Sequence, residues 1–451
     1  MININEYPFS NKLFNDFRSV SGQHVGLMDG TLVTVYKMHE EMCQRTFTGN
    51  IPNYNKYLMG QAHEIEHHLS GYGNYYEEAM VRLVGEGIER YAGLIMASIL
   101  QDQAVYGSYN DIAAKYDKVI PFEYLNAHSD KEYAEFSKFS PLQRLDSNDI
   151  ISWYPCKSLF DPEQIVWIPT QIAFLGFDQN KRQPEKNFIA SFSKGTSCHI
   201  SFEKALLGAI LEAIEIDATM LNWYTKHRCE TIEIDDPLVM SLCENTIGEL
   251  SDYELKAINL TTPESPAYVF GALLVNRQKG LPYIAYGAQA DVDPSKCLYR
   301  AIMEASAILF LGSIGPVVYP GAYNKDVSQS IFSDLDTNVA FYANPNNAPI
   351  TDKLINDITG DSRKFSSFKT DYAGLNVDQQ LKKIISHLGE FSEYAAYINF
   401  TPPEITNKAW EVTRVIIPEF VQMSMPNIPY RQHPRILKYG GVQNDYPHPL
   451  P

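Results

Sequence analysis

The sequence predicts an α+β protein, and three observations carry that prediction. Apolar residues make up 45% of the chain and charged residues 20%, the balance of a globular protein with a sizeable core. Three stretches have helical periodicity: Tyr75 to Leu100, Ser201 to about Tyr224, and Asp293 to near Gly312. Short apolar runs bounded by turn residues lie between them and read as strands.

Residues 1 to about 60 are mixed and rich in Asn, Tyr and Phe. In the first helix Val84, Ile88, Tyr91 and Ile95 fall at i, i+4, i+7 and i+11 and make one apolar face. Ile165 to Ile168 and Ile172 to Leu175 are expected as strands. The second helix has Ser201 as its N-cap. Strands are expected again over Tyr268 to Val275 and Tyr283 to Tyr286. The third helix opens at Asp293-Pro294, a cap followed by proline at the first helical position. Residues 330 to 370 are expected to be loop-rich. From Pro418 to Pro451 the chain holds seven of its 26 prolines, which predicts extended, polyproline-like backbone in place of helix.

The charge balance narrows function. Among 451 residues, 37 are Lys or Arg and 54 are Asp or Glu, a net charge of −17. Nucleic acid and anionic membrane surfaces both require a basic face, so neither is an expected partner. The most apolar stretch, Ala301 to Tyr319, contains Glu304 and is broken by Gly312, Gly315 and Pro316. It reads as a buried helix, not a membrane span. Met1 to Glu6 lacks a charged leader followed by an apolar run, so no signal peptide is expected. The six cysteines form no CxxC pair and are expected as reduced thiols in a cytoplasmic protein.

Each helix carries carboxylates at turn spacing. Glu86, Glu89 and Arg90 fall within about a quarter-turn of each other, opposite Val84, Ile88 and Tyr91. Glu212 and Glu215 share a face of the second helix, and Arg300 precedes Glu304 by one turn in the third. Taken singly, such groups are ordinary solvated faces worth about 0.3 kcal/mol per ion pair. The helices holding Glu215 and Glu304 are too apolar for that. Two carboxylates 4 Å apart repel by about 4 kcal/mol at an effective dielectric of 20. Converging faces would therefore need a cation, and hard Mg2+ takes oxygen ligands together with substrate phosphates.

These strings resemble the YcaO family. The resemblance rests on Gly71-Tyr-Gly73, Gly85-Glu86-Gly-Ile-Glu89-Arg90, Ser193-Lys-Gly195 leading to Glu212-Ala-Ile-Glu215-Ile-Asp217, and Gly287 through Asp293-Pro294 to Arg300 and Glu304. It spans about residues 65 to 435. It implies a YcaO-type fold, with mixed and antiparallel sheets packed against helices that line a central Mg-ATP cleft. The implied organisation is an N-terminal segment over 1–62, a catalytic ATP-binding domain over 63–436 and a tail over 437–451. Carried across by position, Glu86, Glu89, Glu212, Glu215 and Glu304 are the implied metal ligands. Arg90, Ser193, Lys194 and Arg300 are the implied nucleotide contacts, with ATP and Mg2+ as cofactors. Four positions depart from the family pattern: Tyr72, Arg82, Ile216 and Ala307 stand where lysine, serine, arginine and glutamine are common.

The sequence closes on Pro447-His-Pro449-Leu-Pro451. In azoline-forming YcaO proteins a PxPxP ending reaches the active site, so Pro447, Pro449 and Pro451 are implied catalytic positions, the Pro451 carboxylate as a proton carrier. The chain is thus similar to the D components of streptolysin S-type and microcin B17-type synthetases. The implied reaction is ATP-dependent cyclodehydration of Cys, Ser or Thr in a ribosomally made peptide, by phosphorylation of the backbone amide oxygen. Implied partners are a leader-binding, E1-like C component, the precursor peptide, an FMN dehydrogenase and a second copy of the chain. Competing expectations are thioamide or amidine formation, a scaffold that has lost ATP binding, and zinc catalysis at His63-Glu64-Ile-Glu-His67, an HExxH match without an obvious third ligand.

Overall fold

The computed structural model describes residues 8–22, 26–29, 33–35, 44–57, 67–138, 142–175, 183–247, 252–318, 320–323, 332, 335–408 and 410–450. Three sheets form the frame. The first joins β1 (Val33–Val35), β2 (Arg45–Ile51) and β3 (His67–Gly73) in antiparallel order. The second contains β4 (Val105–Gly107), β5 (Ile151–Ser158), β6 (Ile165–Pro169), β7 (Thr196–His199), β13 (Ala396–Asn399) and β14 (Glu411–Ile416). Its order is β4-β5-β13-β14-β7, with β6 also paired to β5. The third contains β8 (Cys229–Glu233), β9 (Tyr253–Asn259), β10 (Tyr268–Asn276), β11 (Ile284–Asp291) and β12 (Thr359–Lys364), in the order β11-β10-β9-β8-β12. It is a mixed sheet, because β12 runs parallel to β8 while the other pairs are antiparallel.

Seven helices matter here: α1 (Pro8–Val20), α2 (Tyr76–Leu100), α3 (Phe202–Thr225), α4 (Pro294–Val318), α5 (Leu335–Ala343), α6 (Ala348–Ile358) and α7 (Pro434–Lys438). Strand β10 shows how the third sheet is covered. Its Val269, Leu273 and Val275 join the core around Ile214 and Leu221 of α3. Its alternate residues Phe270, Ala272 and Leu274 pack with Leu298, Ile302 and Leu309 of α4. A strand with period-two side chains thus buries both faces. Helix α2 sends Leu83, Val84, Ile88 and Ile95 into a separate core with Trp153, Ile168 and Val412 of the second sheet.

The structure corrects several expectations. Ile172 belongs to a helical turn, Thr170–Ala173, and not to a strand. The Thr170 hydroxyl donates to Ser152 O at 2.8 Å and pins that turn across the sheet. Helix α4 does not stop near Gly312 but continues to Val318. Gly312 is there for packing: a Cβ would stand 3.0 Å from Pro282 Cβ and 3.2 Å from Ala343 Cβ. The region 330 to 370 holds α5, α6 and β12, with Pro349 in the first turn of α6, where proline is tolerated. The C-terminal segment is not uniformly extended: hydrogen-bonded turns close at Phe420, Ile428 and His433, and α7 follows, capped by His433, which accepts from the Arg435 N–H at 3.2 Å.

Among the described residues, α4 is the one helix long and apolar enough to cross a membrane. Half of its most apolar stretch is buried in the protein. The described cysteines, Cys156, Cys198, Cys229, Cys243 and Cys297, are free thiols; Cys43 lies outside the described residues.

Candidate active site

The carboxylate helices share one local construction. Each follows a strand or loop whose backbone N–H donates to a glutamate of that helix. Ser70 N donates to Glu86 Oε2 at 2.8 Å, Gly195 N to Glu212 Oε2 at 2.9 Å and Ala288 N to Glu304 Oε2 at 2.9 Å. Such contacts need the strand backbone close against the helix, and glycine permits it. A Cβ on Gly71 would lie 2.0 Å from Ala79 O of α2, and one on Gly287 2.4 Å from Ala305 N of α4. Gly71 and Gly287 therefore set the strand-to-helix distance, which places Glu86 and Glu304.

The five glutamates form one electrostatic group. Burial pushes Glu89 up to about 8, with Arg90 opposing the rise and Glu212 and Glu86 adding to it. Burial raises Glu215 well above the carboxylate range; Lys194 opposes this while Glu304 and Glu212 reinforce it. Glu304 is raised for the same leading reason, again against Lys194. Glu215 and Glu304 are 3% and 8% exposed, and Glu215 Oε1 has no hydrogen-bond partner.

The other expected site residues surround this group. Arg90 pairs with Glu86 at 3.5 Å and Glu89 at 3.8 Å. Lys194 Nζ lies 3.5 Å from Glu212 Oε1. Ser193 belongs to a loop held from behind by the buried Arg414, whose Nη1 donates to Ser193 O at 3.5 Å and to Thr196 Oγ1 at 3.0 Å. Arg300 pairs with Asp291 at 3.3 Å and lines a cavity of about 520 Å3 with Lys204, Leu211 and Tyr372. Of the departures, Tyr72 is half-buried, and its phenol is raised by burial and then by Glu304, with Arg82 opposing. Arg82 stacks over the Tyr72 ring at 5.1 Å and pairs with Glu78. Ile216 is core and Ala307 half-buried. Arg414 escaped the sequence reading as a member of the site, and Tyr72 entered it only as a departure from the family pattern.

The donor set suits a hard divalent cation: carboxylate oxygens, one of them buried and unpartnered. Among the described residues, however, no three His, Cys, Asp or Glu side chains stand close enough together to enclose an ion. Lys194 instead pairs with Glu212 and lowers the burial cost of Glu215 and Glu304. The HExxH reading fails on local structure. His63 and Glu64 lie outside the described residues, and His67 opens strand β3, whereas that motif places both histidines on one helix.

The family model described as YcaO cyclodehydratase, ATP- and Mg2+-binding, matches residues 70–421. The chain belongs to the YcaO family. Its cofactors are accordingly ATP and Mg2+. No curated protein matches the sequence. Among solved structures, a heterocyclase in complex with substrate and cofactor is 18% identical with a TM-score of 0.73, over 97% of this chain. The chain spans 57% of that heterocyclase's length. YcaO from Methanopyrus kandleri, bound with AMPPCP and Mg2+, is 12% identical with a TM-score of 0.61, over 93% of this chain and 91% of that one. A chain of the E. coli microcin synthetase McbBCD complex with pro-MccB17 bound is 16% identical with a TM-score of 0.61, over 95% and 99%. The YcaO-type fold is thus established.

The tail of this YcaO chain is internal. Pro447, His448, Pro449 and Leu450 are buried, while Pro451 lies outside the described residues. Asn338 of α5 donates to His448 O at 2.5 Å and Leu450 O at 2.8 Å; Tyr342 OH donates to Pro447 O, and Trp223 Nε1 to Tyr446 O. The segment leading to it is fixed to the glutamate helix by a buried ion pair. Arg435 Nε lies 2.8 Å from Asp217 Oδ1, which also accepts from Val421 N. Asp217→Ala leaves the buried Arg435 with Glu264 alone, at 3.4 Å, and should cost about 3 kcal/mol in urea unfolding. A loss under 1 kcal/mol would show that the pair is dispensable.

Proposed function

We propose that the chain is an ATP-dependent cyclodehydratase that converts Cys, Ser or Thr of a ribosomally made peptide to thiazoline or (methyl)oxazoline. The observation that supports this reading best is the buried Pro447–Leu450 stretch, held by Asn338 and Tyr342 of α5 and tied through Tyr446 to Trp223 of the helix that carries Glu212 and Glu215. On this reading residues 63–436 are the catalytic domain, 1–62 an N-terminal segment and 437–451 the tail. Glu86, Glu89, Glu212, Glu215 and Glu304 hold Mg2+. Arg90, Ser193, Lys194 and Arg300 contact the nucleotide, and the cavity beside Arg300, at about 520 Å3, is large enough for its base and ribose.

The side chain adds to the preceding backbone carbonyl carbon and loses its proton. The former carbonyl oxygen accepts the γ-phosphoryl group, and phosphate then leaves as the amide nitrogen loses its proton and forms the C=N bond. Mg2+ supplies charge neutralisation on the transferred group. Arg90, Lys194 and Arg300 orient the phosphates, and the Pro451 carboxylate is one of the proton carriers. The expected setting is a cytoplasmic synthetase in which a second protein binds the precursor's leader, a flavin dehydrogenase oxidises the rings, and this chain is present in two copies.

The test combines the purified chain, its genomic neighbour, a neighbouring Cys/Ser/Thr-rich peptide and ATP. Mass spectrometry should show loss of one water per ring, and none with any neighbouring peptide would overturn the assignment. Exchange of sulfur for oxygen would mark thioamide formation instead. Adding one glycine after Pro451 moves the carboxylate and should slow ring formation about 100-fold. Thermal stabilisation by Mg-ATP should persist in that variant. Ring formation at the normal rate would remove the carboxylate from the mechanism.

A further inference from the structure

Lys194 stands among the carboxylates more intimately than a phosphate contact requires. Its Nζ is 3.5 Å from Glu212 Oε1, and its charge acts on Glu89, Glu215 and Glu304 as well. The ammonium thus touches Glu212 and lies within electrostatic reach of three more of the glutamates, with Arg90 and the buried Arg414 as further cations beside the group. The loop allows the side chain little choice. Gly195, next in sequence, adopts a left-handed φ of 84° and binds Glu212 through its N–H, while Arg414 holds Ser193 and Thr196 from the other side.

We propose that Lys194 is a resident counter-ion of the glutamate cradle. Its ammonium neutralises the carboxylates while the metal is absent, and it withdraws toward the nucleotide phosphates when Mg2+ enters. The proposal rests on the reading of the glutamates as metal ligands. It accounts for a lysine paired with Glu212 beside the buried, unpartnered Oε1 of Glu215. A divalent ion must compete with the ammonium for the same oxygens, and two cations at such separations repel strongly in a half-buried site. Lys194 thereby sets the metal concentration at which the cradle fills, a positioning role separate from any contact with ATP.

The test measures Mn2+ binding to the full chain without nucleotide, by electron paramagnetic resonance, in wild type and Lys194→Met. Loss of the competing charge should tighten Mn2+ by about tenfold or more. It should also lower Tm in EDTA and enlarge the rise in Tm on adding Mg2+. A merely structural lysine would lower Tm without tightening Mn2+. If Lys194→Met does not fold in EDTA, Lys194→Gln carries the same comparison. Unchanged or weaker Mn2+ affinity in the folded variant overturns the proposal, even where wild type is still stabilised by Mg-ATP. If wild type binds neither Mn2+ nor Mg-ATP, the metal-ligand reading itself fails.

Discussion

If the chain is the cyclodehydratase proposed above, Glu215→Gln should reduce ATP-dependent ring formation by about 10³-fold or more, yet leave the metal-free protein folded and more stable than wild type. The two halves of this expectation have one cause. Glu215 is 3% exposed, its Oε1 has no partner, and burial raises its carboxyl well above the usual range. Keeping it ionised costs free energy of desolvation and repulsion from Glu304 and Glu212, which Lys194 offsets only in part. Glutamine has the same shape and no charge, so stability in EDTA should rise by about 1–3 kcal/mol. On the proposed reading the same change removes an anionic oxygen from the Mg2+ ligands, and a site built on charge neutralisation of a phosphoryl group cannot do without it. Turnover assays and thermal unfolding in EDTA check both halves. Activity within tenfold of wild type would take Glu215 out of the metal site. Lowered stability would mean that the carboxylate is held by contacts a neutral group cannot replace.

That argument uses positions the sequence displays openly. Helical periodicity places Glu86 with Glu89, Glu212 with Glu215, and Glu304 one turn after Arg300, because side-chain direction along a helix follows from spacing alone. The arrangement of these three helices around each other does not. It depends on the glycine contacts at Gly71 and Gly287 and on backbone N–H groups, which carry no sequence signature beyond the glycines themselves. Lys194 shows the same limit: it lies in a loop whose path is set by Gly195 and by Arg414, a residue some 220 positions away in the chain.

Asn338 explains the misread loop region. Asparagine disfavours helix interiors because it competes for the backbone, so the segment around it looks irregular. Leu335, Val339 and Tyr342 nevertheless keep helical spacing in α5, and Asn338 is there to donate to two carbonyls of the tail. Its purpose is tertiary and could not be read locally. Gly312 and Pro316 misled in the same way, since α4 uses the glycine as a packing notch instead of an end.

Acidification from pH 6.5 to 4 should undock the C-terminal segment, because three buried histidines hold it in their neutral form. His128 contacts Pro429 O at 3.3 Å, His433 Pro418 O at 3.1 Å, and His448 Ser424 O at 3.1 Å. Burial lowers each to about 4 from an ordinary 6.5, and nearby cations, Arg435 for His433 and Lys194 for His448, push the same way. The unfolded chain therefore takes up protons on these residues below 6.5, while the folded chain does not until about 4. Stability present above pH 6.5 is lost as the pH falls through that window, by about 3 kcal/mol per histidine. Together they approach the whole stability of an ordinary domain. Local chemistry sharpens the effect at His433, where protonation would convert the Nδ1 acceptor of the Arg435 N–H into a second donor. Glu89, raised to about 8, works in the opposite direction by gaining its proton in the folded state first, so the total pH curve mixes both. His448→Asn isolates the histidine: its loss of stability between pH 6.5 and 4 should be smaller than that of wild type by about 3 kcal/mol. Trp223, bonded to Tyr446 O at 3.1 Å, reports tail release by fluorescence. Equal acid sensitivity in wild type and variant would show that His448 does not hold the tail.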